Sequence, residues 1–345
     1  MSRWPRGRKG WAVSALLGAG ALLGACAKHP QSTLSPAGPV GRMELGLMGF
    51  GFWLMVGVFI AVCIPLVYAL VRFRERRTDQ GIPPQIEGNH TIEVVWTIIP
   101  ILLVIALVIP TISDAFALAA PPAGSNPLQV TVVGHQWWWE FEYPGQGIVT
   151  ADQLYIPTGR VVELTLKSAD VLHSFWVPEL GGKEDTVPGI TNHMWLKASK
   201  SGLYSGQCAE FCGTNHSLMR FDVVAEPNGS FQNWVSGMQH PNVTPSGTRA
   251  KEGAKLFLQS GCTACHTING VKGATGVLAP NLTNLGERQI IVGGALQNTP
   301  ADLEQWIHNA PKFMPGTIMP PFTTLSTPQL ADLAAYLEGL QPQKG

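Results

Sequence analysis

Cys262-Thr263-Ala264-Cys265-His266 sets two thiols three positions apart, with an imidazole directly after the second. That spacing is the pattern for covalent haem c: both sulfurs reach the vinyl groups, and the ring of His266 meets the iron. A redox Cys-x-x-Cys pair shares the cysteines but needs no histidine, and no strand pattern precedes the motif here. About fifty residues earlier, Cys208, Cys212, His216 and Met219 fall within twelve positions. Two thiolates, an imidazole and a thioether form a soft donor set suited to copper. Tetrahedral zinc is the nearest rival, although methionine is a poor zinc ligand. In an oxidising compartment a Cys208–Cys212 disulfide is the default for such a pair. A cytochrome c also needs a distal iron ligand, usually methionine, and Met314 and Met319 are the candidates. Two redox centres in series on one chain amount to a wire.

Composition shows where that wire is mounted. The chain has 345 residues, enough for two or three units, of which 45% are hydrophobic and only 13% charged. Residues 1–25 read as a secretory signal, with Arg3, Arg6, Arg8 and Lys9 ahead of an apolar run from Trp11 to Leu23. Leu23-Gly24-Ala25-Cys26 resembles a bacterial lipoprotein cleavage box, which implies lipidation of Cys26; an uncleaved anchor is the alternative. Leu45–Val71 and Val94–Ser113 carry no charge, and each is long enough to cross a bilayer as a helix. Pro65, Pro100 and Pro110 would kink these spans. Arg72, Arg74, Arg76 and Arg77 lie between them, and positive loops stay cytoplasmic. Both ends of this hairpin then lie outside, with everything after about residue 120 extracytoplasmic.

Charge is unevenly spread. Residues 121–246 carry six basic and eleven acidic side chains, whereas residues 247–345 carry seven and six. An acidic middle and a nearly neutral end argue against nucleic-acid binding and favour a basic protein partner. Polar–apolar alternation in Gln129–Val133 and Val161–Lys167, with Pro-Gly and Ser-Gly punctuation, predicts a β-sandwich or barrel. Residues 227–248, rich in Pro, Gly, Ser and Asn, look like a linker. Beyond it, Gly247–Gln259 and Thr327–Leu340 suggest helices. The second has a Ser326 or Thr327 cap, Pro328 in its first turn, and Leu330, Leu333, Leu337 and Leu340 on one face.

His173-Ser174-Phe175-Trp176-Val177-Pro178, Asp185–Gly189 and Gly206-Gln207-Cys208 to Met219 closely resemble subunit II of haem–copper cytochrome c oxidases. The C-terminal cytochrome c makes the chain similar to the caa-type oxidases. The resemblance implies a multidomain membrane protein: a lipoprotein-type signal peptide (1–25), a two-helix transmembrane hairpin (40–120), an all-β cupredoxin-like domain (121–228), a linker (229–246) and an all-α class I cytochrome c domain (247–345). It implies a binuclear copper A centre of two copper ions bridged by Cys208 and Cys212. His173 and Met219 complete one copper; His216 and the backbone carbonyl of Glu210 complete the other. The bridging sulfurs would let one electron delocalise over both metals. The Glu210 side chain would reach a magnesium ion shared with subunit I, the alternative being a rim carboxylate without metal. Asp170 would either orient the site or serve as a turn carboxylate.

Three further roles are implied. Trp137, in Gly134-His135-Gln136-Trp137-Trp138-Trp139, matches a surface residue at which electrons enter; at least one of the three indoles must be ordinary core. Glu93 matches a carboxylate at the cytoplasmic mouth of a proton path, or is an interfacial anchor. Ile318-Met319-Pro320-Pro321-Phe322 resembles the ligand loop of small cytochromes c, making Met319 the distal ligand and Met314 a packing residue, and Ala279-Pro280-Asn281-Leu282 resembles the segment supporting the proximal His266. The implied partners are oxidase subunits I and III, membrane lipid, and a donor such as a cytochrome c or a quinol–cytochrome c reductase. The implied location is the bacterial inner membrane, multi-pass, with both redox domains on the periplasmic side. Oxygen reduction and proton pumping would belong to subunit I, and this chain shows no catalytic nucleophile arrangement. A quinol oxidase subunit would lack the copper ligands. A copper A-containing nitric oxide reductase subunit and a free-standing membrane electron carrier remain as alternatives.

Overall fold

The two uncharged runs lie within long helices, α1 (Pro39–Arg72) and α2 (His90–Leu118). At 34 and 29 residues both exceed what a bilayer crossing needs. Asn89 caps α2 by accepting from the backbone N–H groups of Thr91 and Ile92. Large apolar side chains along both helices, among them Trp53, Phe59, Leu102 and Ile109, are exposed, as a lipid-facing surface requires. The computed structural model describes residues 31–74 and 87–343, so Cys26, the signal segment and Arg76–Arg77 lie outside the described residues. Residues 43–119 form one unit, and the two redox domains belong to another.

In the second unit, ten strands follow in order: β1 (Leu128–His135), β2 (Trp138–Tyr143), β3 (Ile148–Ala151), β4 (Gln153–Pro157), β5 (Val162–Ser168), β6 (His173–Trp176), β7 (Lys183–Thr186), β8 (Asn192–Leu196), β9 (Gly202–Cys208) and β10 (Arg220–Glu226). They form two five-stranded sheets, β3-β2-β1-β5-β8 and β4-β10-β9-β6-β7. The alternation in the sequence is the packing pattern: Leu128, Val130 and Val132 of β1 and Trp139, Phe141 and Tyr143 of β2 point inward. Trp139, Phe141, Phe175 and Phe221 form the aromatic centre, with the rings of Phe175 and Phe221 stacked 4.6 Å apart. Such pairs add about 0.5–1.5 kcal/mol each beyond simple burial.

Residues 228–239 depart from the linker expected there. They form α3 (Asn228–Gln239), whose Phe231, Trp234, Val235 and Met238 are buried with the sandwich core. Trp234 stacks on Tyr155 at 4.4 Å. The Gly, Ser and Asn content weakens helix propensity, but burial of an i, i+3, i+4, i+7 face outweighs it.

The last domain holds α4 (Gly247–Gln259), α5 (Pro300–His308), the short α6 (Ala310–Phe313) and α7 (Thr327–Glu338), with a two-stranded hairpin of β11 (Ile290–Ile291) and β12 (Leu296–Gln297). Ser326 and Gln329 form the capping box of α7, and Leu330, Leu333, Leu337 and Leu340 are buried as the periodicity requires. Helices α4 and α7 cross at Gly253, where a Cβ would lie 1.9 Å from Asp332 O and 2.9 Å from Tyr336 Cβ. Gly253→Ala is therefore expected to force the crossing apart and cost about 1–3 kcal/mol. The check is a thermal melt followed by haem c absorbance, with a drop of roughly 4–8 °C per kcal/mol for a domain of this size.

The two redox domains touch. Thr150 Oγ donates to Asn284 Oδ1 at 3.0 Å and Asn215 Nδ2 donates to Pro315 O at 2.7 Å. Met314 is buried in the sandwich cluster, where Trp306 also packs. At the chain's end, Gln343 N–H donates to Gly237 O of α3.

Candidate metal centre

The end of β9 and the loop before β10 bring the predicted copper ligands together. Cys208 closes β9, and Cys212 Sγ lies 3.8 Å from its sulfur. His173, the first residue of β6, presents Nδ1 at 4.0 Å from Cys208 Sγ. His216 Nδ1 and Met219 Sδ lie 3.6 and 3.7 Å from Cys212 Sγ, and Glu210 O lies 3.2 Å from Cys208 Sγ. Five side chains and one carbonyl thus converge without a disulfide. Softness and number both fit copper. The turn that closes the loop, His216–Leu218, is a single 3-10 turn, which brings Met219 back beneath Cys212.

Hydrogen bonds fix the imidazole of His173. Its Nε2 lies 2.8 Å from Asp170 Oδ1, leaving Nδ1 to face the sulfurs. Asp170 in turn accepts from the backbone N–H groups of Gln136 and Val171, both at 2.6 Å. Burial would lower the basicity of His173, but the Asp170 carboxylate and the Cys208 sulfur raise it on balance. Asp170 follows the opposite logic: burial raises its pKa, and the His173, Val171 and Gln136 hydrogen bonds bring it below the usual value. Of the two open readings for Asp170, the geometry is that of an orienting group. The hydrogen bond between the two sulfurs pulls the Cys208 thiol below its ordinary range, with His173 adding to the effect, and together with burial pushes the Cys212 thiol above it.

In the last domain, Gly261 in a left-handed conformation (φ 82°) starts the 3-10 turn Cys262–Ala264 that orients both thiols. His266 Nδ1 lies 2.8 Å from Pro280 O, so the segment 279–282 does support this ring. Burial lowers its pKa, which favours the neutral ring that iron ligation would require. Cys262, Cys265, His266, Met314 and Met319 line one cavity whose walls include Leu282, Leu303, Ile307, Phe322, Leu333 and Leu337. Met319 packs with the cytochrome cluster and Met314 with the sandwich cluster. Arg288 also lines the cavity, only 5% exposed, and its Nε has no hydrogen-bond partner among the described residues. Mainly apolar walls, with the Arg288 guanidinium available to carboxylates and the Asp152 carboxyl on the opposite side, fit a flat macrocycle that carries carboxylates.

Trp137 corrects the expectation of a surface indole. It is 6% exposed, because the cytochrome domain covers it. Its ring lines the cavity just described, lies under Gly316, and donates through Nε1 to Cys212 O at 3.1 Å. Gln136, which the sequence did not single out, donates to the same carbonyl at 2.7 Å. Of the three indoles, Trp139 is the core residue, and Trp138 stacks on His135 at 4.1 Å. Glu93 sits in the first turn of α2, within its own unit, with Oε2 4.0 Å from His90 Nδ1. Phe211, next to Glu210 in the copper loop, is exposed and meets His216 edge-on.

Three family models match the chain: the transmembrane domain of cytochrome c oxidase subunit II over residues 37–113, the periplasmic domain of the same subunit over 146–226, and cytochrome c over 250–341. Cytochrome c oxidase subunit 2 of Alkalihalophilus pseudofirmus is 39% identical over 324 residues, covering 93% of this chain and 94% of the relative. The same subunit of Bacillus sp. (strain PS3) is 39% identical over 356 residues, covering 97% and 99%. A solved periplasmic domain of subunit II of cytochrome oxidase from Bradyrhizobium japonicum is 29% identical, with a TM-score of 0.33, covering 35% of this chain and 96% of that one. With its membrane helices, its copper-ligand loop and its haem-binding motif in that order, the chain belongs to the cytochrome c oxidase subunit II family, in the form that carries its own cytochrome c domain.

Proposed function

We propose that this chain takes electrons into a proton-pumping terminal oxidase, from an external donor through haem c and a two-copper copper A centre to subunit I, where oxygen is reduced to water. Trp137 carries the reading: one indole both lines the haem cavity and donates to the carbonyl of Cys212. Both groups, when bound, supply reversible one-electron chemistry.

The residues divide the work of holding them. Cys208, Cys212, His173, His216, Met219 and the Glu210 carbonyl would hold copper. Cys262 and Cys265 would carry haem c, with His266 and Met319 as axial ligands. Met319 is favoured over Met314, which is committed to packing in the sandwich. Asp170 positions His173, while Gln136 and Trp137 fix the Cys212 peptide; a ligand set held this firmly changes little between charge states. Burial of Cys208, Cys212, His173 and Met219 keeps water from the sulfurs.

The finer assignments extend this reading. The Glu210 side chain would meet magnesium at the subunit I boundary, and Glu93 would stand at the mouth of a proton path. Cys26 would be lipidated, with the α1–α2 connection cytoplasmic because of Arg72, Arg74, Arg76 and Arg77. The protein would then be a multi-pass lipoprotein of the bacterial inner membrane, partnered by subunits I and III.

Metal and haem analysis of the detergent-purified complex tests the proposal. Two coppers and one covalent haem per chain are expected, with further haem from the partner subunit. Met219→Leu should alter the copper signal and leave haem c absorption unchanged. Zinc in place of copper, or a shifted haem c band in that variant, would overturn the assignment.

A further inference from the structure

Where the sandwich meets the cytochrome domain, the cavity wall carries two buried charges from opposite sides. Asp152, 4% exposed, occupies the bend at which the chain leaves β3 for β4 and changes sheets. The bend requires a left-handed conformation (φ 56°), which aspartate tolerates better than most residues. Its Oδ1 accepts from Trp139 N–H at 2.9 Å, and its backbone exchanges hydrogen bonds with Trp139 and Asp222. From the cytochrome side, Arg288 donates through Nη2 to Asn281 O and Asn284 Oδ1, and Asn284 is the residue that Thr150 reaches across the boundary. Asp152 and Arg288 both line the cavity that contains Cys262, Cys265 and His266.

We propose that Asp152, a residue of the copper domain, is a redox-linked proton acceptor for haem c: it takes up one proton when the haem is reduced and releases it on oxidation, with Arg288 as the fixed cation beside it. This deepens the proposed function and rests on haem c occupying that cavity. The balance is simple. On reduction one electron arrives from the external donor and one proton from solvent; on oxidation both leave again. Physically, an oxidised haem places one more positive charge in the cavity than a reduced one, and a buried carboxylate feels that charge with little screening.

The surroundings make Asp152 the group that responds. Arg288 faces it from the cytochrome side and Asp222 from β10, while His266 lies on the cavity wall and Tyr155, with Glu226 and Glu287 around it, acts on Arg288. Asp222 is buried as well, yet it does not line the cavity. Burial pushes Asp152 up to about 6, despite the Trp139 hydrogen bond and the Arg288 charge. Burial also brings Arg288 down to about 10, which leaves it charged at neutral pH.

The sign follows. Reduction raises the Asp152 pKa and oxidation lowers it. The haem c midpoint potential must therefore fall as pH rises through the region around 6, and level off above and below it.

Redox titration of haem c absorption in the purified complex, from about pH 5 to about pH 8, tests this. The native protein should show that fall, Asp152→Asn should be flat across the window, and Asp222→Asn should keep the slope. Asparagine retains both the acceptor for Trp139 N–H and tolerance of the left-handed bend. A native protein without the slope, or an Asp152→Asn protein that keeps it, overturns the proposal. If that variant does not assemble, native protein labelled with carbon-13 at aspartate carboxyls decides by redox-difference infrared spectroscopy. A protonated-carboxyl band that appears on reduction, shifts with the label and survives Asp222→Asn supports Asp152; a band that ignores the label, a band lost in Asp222→Asn, or no band at all overturns it. Absence of a covalent haem spectrum would instead defeat the underlying assignment of the cavity.

Discussion

Oxidation of Cys208 and Cys212 to a disulfide is expected to abolish copper uptake completely while leaving attached haem c untouched. The sulfurs lie 3.8 Å apart, four residues from each other in one loop, both buried. A disulfide needs a separation of about 2.05 Å, which modest side-chain rotations within the loop can reach. Both sulfurs are shared donors in the proposed centre, so one covalent bond removes two ligands from each metal. His173, His216, Met219 and a carbonyl are then left without any thiolate, and that set no longer suits copper. An extracytoplasmic domain meets this hazard constantly. Copper-free complex treated with a mild oxidant should take up no copper. The same sample treated with a dithiol should recover two per chain. Copper binding by protein whose Cys208–Cys212 bond is demonstrated by peptide mass analysis would disprove the ligand set.

Much of the proposed centre could be read from the sequence because its candidate ligands are crowded into short segments. Cys208 to Met219 spans twelve positions, and Cys262 to His266 spans five. Both membrane helices were equally plain, since unbroken apolar runs need no partner to be recognised. Long-range geometry was less legible. His173 is brought to Cys208 only by the pairing of β6 with β9, where Phe175 sits opposite Cys208. The helix at 228–239 was hidden by its Gly, Ser and Asn, although Phe231, Trp234, Val235 and Met238 already had helical spacing. Trp137 shows the limit most clearly. A family resemblance gives it a surface, and only the docked cytochrome domain shows that the surface is covered. Asp152 and Arg288 carried no local signal, because their meaning arises from two domains that share one cavity wall.

That shared wall depends on glycines, and Gly293→Val is expected to pull the domains apart. Val292, Gly293 and Gly294 run through three successive left-handed conformations (φ 57°, 58° and 83°), forming a tight turn that the cytochrome domain presses against the copper loop. A Cβ at Gly293 would lie 2.2 Å from Leu218 O and 3.2 Å from Trp137 O. Both obstacles are backbone, so no side chain can swing away. Leu218 immediately precedes Met219, a proposed copper ligand, and moving its peptide is itself costly. A β-branched residue adds strain at positive φ of about 1–3 kcal/mol, and the overlap adds about the same again. Relief by separating the domains is the expected outcome, since Gly316 and Trp137 meet across the same seam. A loss of about 3 kcal/mol would lower the docking equilibrium constant roughly 10²-fold. Trp137 should then become accessible to a collisional fluorescence quencher, and electron passage from haem c to copper should slow in step. Haem c and copper spectra should stay native, because each proposed ligand set lies within one domain. A Gly293→Val protein with native spectra, a shielded Trp137 and an unchanged transfer rate would show that the seam does not govern the path between the two centres.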